Sequence, residues 1–141
     1  MNGPAVAASG RRVAVAWFTA PGDSARVKLA FSDDAGARFG APIRIDEGTP
    51  AGRVDVALLS DGAALVTWIE RTGGDVAAVR TRRVNRDGKL GAAITVATSS
   101  AARASGFPRM AITGNEVVFA WTAPGRPSAV RVARAKLDEL R

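Results

Sequence analysis

PAVAASGRRVAVAW, residues 4–17, holds two short apolar runs on either side of Ser9-Gly10 and ends on a tryptophan. The same layout returns as DVALLSDGAALVTW (55–68) and PRMAITGNEVVFAW (108–121). In each copy a hydroxyl residue and a turn former occupy the same offset: Ser9-Gly10, Ser60-Asp61 and Thr113-Gly114. Two apolar strands joined by such a pair predict a tight antiparallel hairpin. Trp17, Trp68 and Trp121 lie 51 and 53 residues apart. A period of that length marks a repeated supersecondary unit.

The repeat continues downstream. Phe39, Ile43 and Ile45 follow Trp17 by 22, 26 and 28 residues, and Leu90, Ile94 and Val96 follow Trp68 by the same distances. Each full unit therefore predicts four strands: 4–9, 11–20, 25–33 and 41–47 in the first, 55–60, 63–70, 76–85 and 92–98 in the second. The third unit reads 108–113, 116–123 and 129–137, with no fourth strand. No segment carries a long 3.6-residue period with caps, so helix content should be very low. A four-stranded antiparallel unit recurring at about 50 residues predicts an all-β fold of β-propeller blades. A β-sandwich also uses short strands at regular spacing, but it gives no reason for tryptophan to recur at one offset. The whole chain, 1–141, reads as one domain, with blades over 4–47, 55–98 and 108–137.

Composition narrows the chemistry. With 47% apolar residues the chain is globular. No apolar run is long enough to cross a membrane as a helix, and the first residues, MNGPAVAASGRR, lack the pattern of a signal peptide. Cysteine, histidine and tyrosine are absent. That removes thiolate and imidazole catalysis and the usual zinc ligand sets, so neither a cofactor nor a metal is expected. The net charge is +7, and 17 of the 20 basic residues are arginine. They are scattered, and no aromatic residues interleave with the densest stretch, RTRRVNR (80–86), so nucleic acid is not the expected partner.

Between the third and fourth strands of the first blade lies SDDAGARF, residues 32–39. It resembles the Asp box, S-x-D-x-G-x-[TS]-[WF], of the sialidase-like propellers, the bacterial neuraminidase repeat family. Ser32, Asp34, Gly36 and Phe39 match, and Arg38 stands where threonine or serine is usual. Physically the motif is a self-stabilised turn: the short polar side chains bond nearby backbone N–H groups, glycine permits positive φ, and the aromatic is expected to plug between sheets. In the second blade the corresponding RVNRDGKL keeps only Asn85 and Leu90 at the acid and aromatic positions. Asp boxes occur in many propellers that cleave nothing, so the motif speaks to fold, and Asp34 is expected to be a turn residue.

The resemblance implies a six-bladed ring, of which this chain would be the C-terminal half, with DELR (138–141) as a polar tail. The half would belong to a longer protein or would self-associate as a homodimer to close the ring. Most relatives of this fold are extracellular or periplasmic; the sequence itself fixes no compartment. It further implies a ligand face where strand one begins and strand two ends, opposite the Asp-box turns. Arg53, Asp55, Glu70, Arg71, Arg103 and Arg109 fall there, with Asp23 at the matching loop of the first blade. Arginine forks suit a carboxylate, and the acids could balance charge or exchange protons. The bland alternative for each is a solvated rim ion pair. Catalytic sialidases use a tyrosine nucleophile, and this chain has no tyrosine; no catalytic residue is assigned. Three functions follow: a non-catalytic module binding an anionic ligand, glycan or protein; part of a glycoside hydrolase completed by another half; or a structural, self-assembling repeat.

Overall fold

The computed structural model describes residues 2–141. Its eleven strands form three antiparallel sheets, and no α-helix occurs among the described residues. The first sheet takes β1 (Ala5–Ser9), β2 (Arg12–Thr19), β3 (Arg26–Ser32) and β4 (Ile43–Arg44) in that order. The second takes β5 (Thr49–Leu58), β6 (Ala64–Gly73), β7 (Val76–Val84) and β8 (Leu90–Ser100). The third takes β9 (Arg109–Thr113), β10 (Glu116–Ala123) and β11 (Ala129–Lys136), with no fourth strand. Consecutive strands are neighbours throughout, and β5 packs against both β1 and β9. These are three blades of a propeller, the last lacking its outer strand.

Alternation along each second strand decides which side meets which blade, because successive side chains point to opposite faces. Ala14 and Ala16 of β2 face blade two, where Val54, Val56, Ala64, Val66 and Trp68 meet them. Leu65 and Ile69 of β6 face the other way, toward Val117, Phe119 and Trp121 of β10. The three tryptophans hold the same register, opposite Lys28, Arg80 and Arg131 on the third strands. Their burial differs: Trp68 is 0% and Trp121 8% exposed, while Trp17 is half-buried on the outer side of blade one.

Polar side chains tie the blades where the strands end. Arg82 Nη1 donates to the Ile45 carbonyl at 2.7 Å, and its Nη2 meets Glu47. On the opposite rim Arg12 lies 4.1 Å over the Phe31 ring and donates to the carbonyls of Gly62 (2.8 Å) and Arg86 (3.2 Å).

Four local features depart from the sequence reading. Strand β5 begins at Thr49, not 55, because two register shifts between Pro50 and Asp55 house residues that would break a regular ladder. Strand β4 has only two residues; beyond it the buried Asp46 carboxylate accepts the Val27 N–H at 2.7 Å, replacing a backbone acceptor. The hairpin of blade two is wide, residues 59–63, held by Leu59 N–H on the Ala63 carbonyl. The expected polar tail instead forms a 3₁₀ turn, Leu137–Leu140, whose Leu140 is buried with Leu137 packed beside it. The spacing of three puts both leucines on one side of that turn.

The turn at 32–39 is closed by its own side chains. The Ser32 hydroxyl donates to Asp34 Oδ1 at 2.8 Å and accepts from Gly36 N at 2.9 Å, while Arg38 N donates to Asp34 Oδ1 at 2.9 Å. The Arg38 side chain is not needed for that last bond, so the position tolerates it. Phe39 does not plug between sheets: it is 45% exposed, and its ring edge lies beside the Gly36 position instead.

Trp68 fills the interface between blades one and two, so Trp68→Ala should cost about 3–5 kcal/mol in denaturant unfolding. A near-neutral change would contradict that packing.

Candidate functional site: an arginine-lined cleft on the rim

The bulged start of β5 builds the site. Gly52 and Arg53 both take positive φ, +84° and +56°. At Gly52 a Cβ would come within 2.8 Å of the Phe18 ring and 2.7 Å of the Asn2 side chain, so only glycine fits. Asn2 spans the bulge, accepting the Arg53 N–H at 3.0 Å and donating to the Ala51 carbonyl at 3.2 Å. This conformation turns Arg53 inward. Its Nη1 meets the buried Ser105 hydroxyl, and its Nη2 donates to the Ala101 carbonyl at 3.0 Å. Arg53 thereby fastens the 101–107 link between blades two and three onto β5.

Arg71, at the end of β6, and Arg103, in the 3₁₀ turn Arg103–Ser105, face the same space. With Asn2, Ala51, Arg53, Ala101, Gly106 and Phe107 they line a cleft of about 340 Å³ in which no carboxylate takes part. The side chains of Arg71 and Arg103 have no hydrogen-bonding or ion-pair partner among the described residues. Burial, and then repulsion from Arg71 and Arg103, hold the Arg53 pKa below its ordinary value. Arginine nevertheless stays protonated at physiological pH, so the cleft is a fixed positive site.

The remaining residues expected at the rim do not join this cleft. Asp55 and Arg109 lie on the other side of Phe107, whose ring lines both hollows, and they pair at 3.5 Å. Asp55 is buried and committed: Oδ1 accepts the Val56 N–H at 3.0 Å and Oδ2 the Met110 N–H at 2.9 Å, which pins β9 to β5. Glu70 turns toward blade one, on the same side of β6 as Trp68. Its Oε2 accepts the Trp68 indole N–H at 2.6 Å, while Oε1 is buried without a partner. Burial pushes the Glu70 carboxyl above its ordinary range; the indole bond opposes this, and nearby Asp46 adds to it. Asp23 is exposed in the turn Pro21–Asp23 and lines neither hollow. The sequence reading passed over Asn2, Ser105 and Phe107. An aromatic between Gly106 and Pro108 in a loop was the one available signal; Asn2 carried none.

No cluster of His, Cys, Asp and Glu able to hold a metal ion occurs among the described residues, and no helix there is long and apolar enough to cross a membrane.

No protein-family model and no curated protein matches the sequence. Solved structures do match the fold. A thermostable family-43 glycoside hydrolase aligns over 94% of this chain and 49% of its own, with a TM-score of 0.62 and 14% identity. The family-43 protein BlXynB from Bacillus licheniformis aligns over 94% of this chain and 27% of its own, at TM-score 0.59 and 14% identity. A Hadza microbial sialidase aligns over 94% and 30%, at TM-score 0.58 and 15% identity. The chain thus spans half the length of the first of these structures and less of the others. At such identities the likeness is one of fold: a propeller of the kind on which glycoside hydrolases and sialidases are built.

The Glu70 carboxyl gives a pH signature. A raised folded-state pKa means that its contribution to stability is fully present below the unfolded value and is lost as pH rises through the folded value. Glu70→Gln keeps an acceptor for Trp68 without the buried charge. The variant should therefore melt above wild type at neutral pH, and the gap should close toward acid. A variant less stable at neutral pH would show that the charge carries no penalty there.

Proposed function

We propose that this chain is a non-catalytic propeller module that binds a carboxylate-bearing ligand, of glycan size, in the Arg53–Arg71–Arg103 cleft. One observation carries the reading: Arg71 and Arg103 stand beside a buried third arginine with no acid in the cleft and no partner of their own among the described residues. A guanidinium with nothing to bond is matched by a planar anion, which it can grip through two N–H groups at once. Arg53, spent on Ser105 and Ala101, supplies charge and a rigid wall; Arg71 and Arg103 supply the free donors. Phe107, 42% exposed at the edge, offers an apolar face to the body of such a ligand.

A second reading has specific support. The structural neighbours are named as glycoside hydrolases and a sialidase, and Glu70 is a carboxyl with a raised pKa, as a general acid requires. On that reading the chain is part of a hydrolase and Glu70 donates a proton. The orientation of Glu70, toward Trp68 and away from the cleft, favours the binding module.

The test is titration of the 141-residue chain with sialic acid, glucuronic acid and their neutral counterparts, followed by calorimetry or NMR. Acid sugars should bind and neutral ones should not. Arg71→Ala and Arg103→Ala should each remove about 1.5–3 kcal/mol, roughly ten- to a hundredfold in Kd, with melting unchanged. Equal binding by the variants would sink the cleft. Hydrolysis of fluorogenic glycosides, abolished by Glu70→Gln, would favour the second reading.

A further inference from the structure

Both ends of the blade stack present an uncovered sheet face with apolar side chains at its centre, and the two faces are opposite in kind. On blade one the register puts Val6, Val13, Val15 and Trp17 on the outer side, with Lys28 beside the tryptophan. Ala14 and Ala16 on the inner side are sealed, while Val13, Val15 and Trp17 are only half-buried and Val6 is 67% exposed. On blade three the outer side carries Ala111, Val118, Ala120, Val130 and Val132, the last two 73% and 59% exposed, in a border of charged residues that includes Arg109, Glu116, Arg134 and Lys136. Apolar faces of this extent mark surfaces built to be covered.

We propose that a second copy of this chain covers them, each copy seating its blade-three face on the blade-one face of the other. The chain's own repeat says what fits. The tryptophan side of blade two is covered by the back of blade one, and that of blade three by the back of blade two. Among the described residues Trp17 holds the same register on a side with no such back against it, and the uncovered back is that of blade three. Blade two stands between them, so a single copy cannot join its own ends. Two copies related by a two-fold axis make the contact twice and leave no face open.

Details of the faces agree. Lys28 occupies on blade one the position of Arg80 on blade two, which sits in the first junction near Glu47 of the preceding link. Glu116 is the acid that the blade-three face offers to such a cation. Arg82 bonds the Ile45 carbonyl just past β4, and the equivalent position on blade one is Ala30. Blade three has no fourth strand to offer such a carbonyl, and no arginine waits for one.

The experiment is light scattering behind size exclusion on the 141-residue chain across a dilution series, with Val6→Asp and Val132→Asp alongside. Both valines are exposed in the single chain, so neither change removes a core contact, and each lowers the net positive charge. Circular dichroism and melting confirm that each variant is folded. Wild type is expected near twice 14.6 kDa, and each variant alone near 14.6 kDa. Three results would each overturn the proposal. They are a wild-type monomer at every concentration, meaning that something other than a second copy covers the faces; a dimer that survives Val132→Asp, meaning like faces pair; and an open ladder of higher species, meaning two copies do not close.

Discussion

Large side chains on one face of each sheet, packed against small ones on the back of its neighbour, are the constraint from which the rest follows. Trp68 meets Ala14 and Ala16 at the first junction, and Phe119 and Trp121 share the second with Ala63 and Ala77. The alanines let the strands of adjacent blades approach; the aromatics fill the space so made. A fully buried indole removes about 200 Å² from water, worth about 5 kcal/mol at 25 cal/mol per Å². No single blade could hold its own sheet together on that scale, so the unit of stability is the junction, not the blade.

The excess of arginine takes its sense from the same junctions. Arg12, Arg53 and Arg82 are largely covered and spend their donors on carbonyls of a neighbouring blade or link. Arginine suits this work because its stem packs on apolar surface while its fork satisfies backbone acceptors at the strand ends. Set against these, Arg71 and Arg103 spend no donor within the fold, and what distinguishes them from other unpaired arginines such as Arg11 and Arg134 is that they share one cleft with the buried Arg53.

How much of this could be read from the sequence depended on period and parity. The strands of the three hairpins were legible because alternation and the tryptophan offset agreed. The bulged start of β5 was not, since Thr-Pro-Ala-Gly reads as a loop; pairing with β6 across two register shifts makes it a strand, and Asn2 and Ser105 hold the bulge. Charge in LDELR hid two leucines three residues apart. At the site, topology alone brought Arg53, Arg71 and Arg103 to one rim. Glu70 was misplaced although parity was available: two residues after Trp68 on a strand, it must share the tryptophan's face. Asp55, opposite Thr67, likewise belongs to the blade-three side. Phe39 followed a motif pattern, and motif patterns carry no information on which neighbour the ring will meet.

The threefold tryptophan has a last consequence. One fluorophore stands at the same place in three successive sheets, yet each sees a different medium: Trp17 partly water, Trp68 a dry junction with its N–H on a carboxylate, Trp121 an almost dry junction with its N–H unpaired. The emission spectrum is therefore a built-in record of the stack: wetting of either junction moves intensity to the red, on top of the red-shifted share of Trp17, without any label.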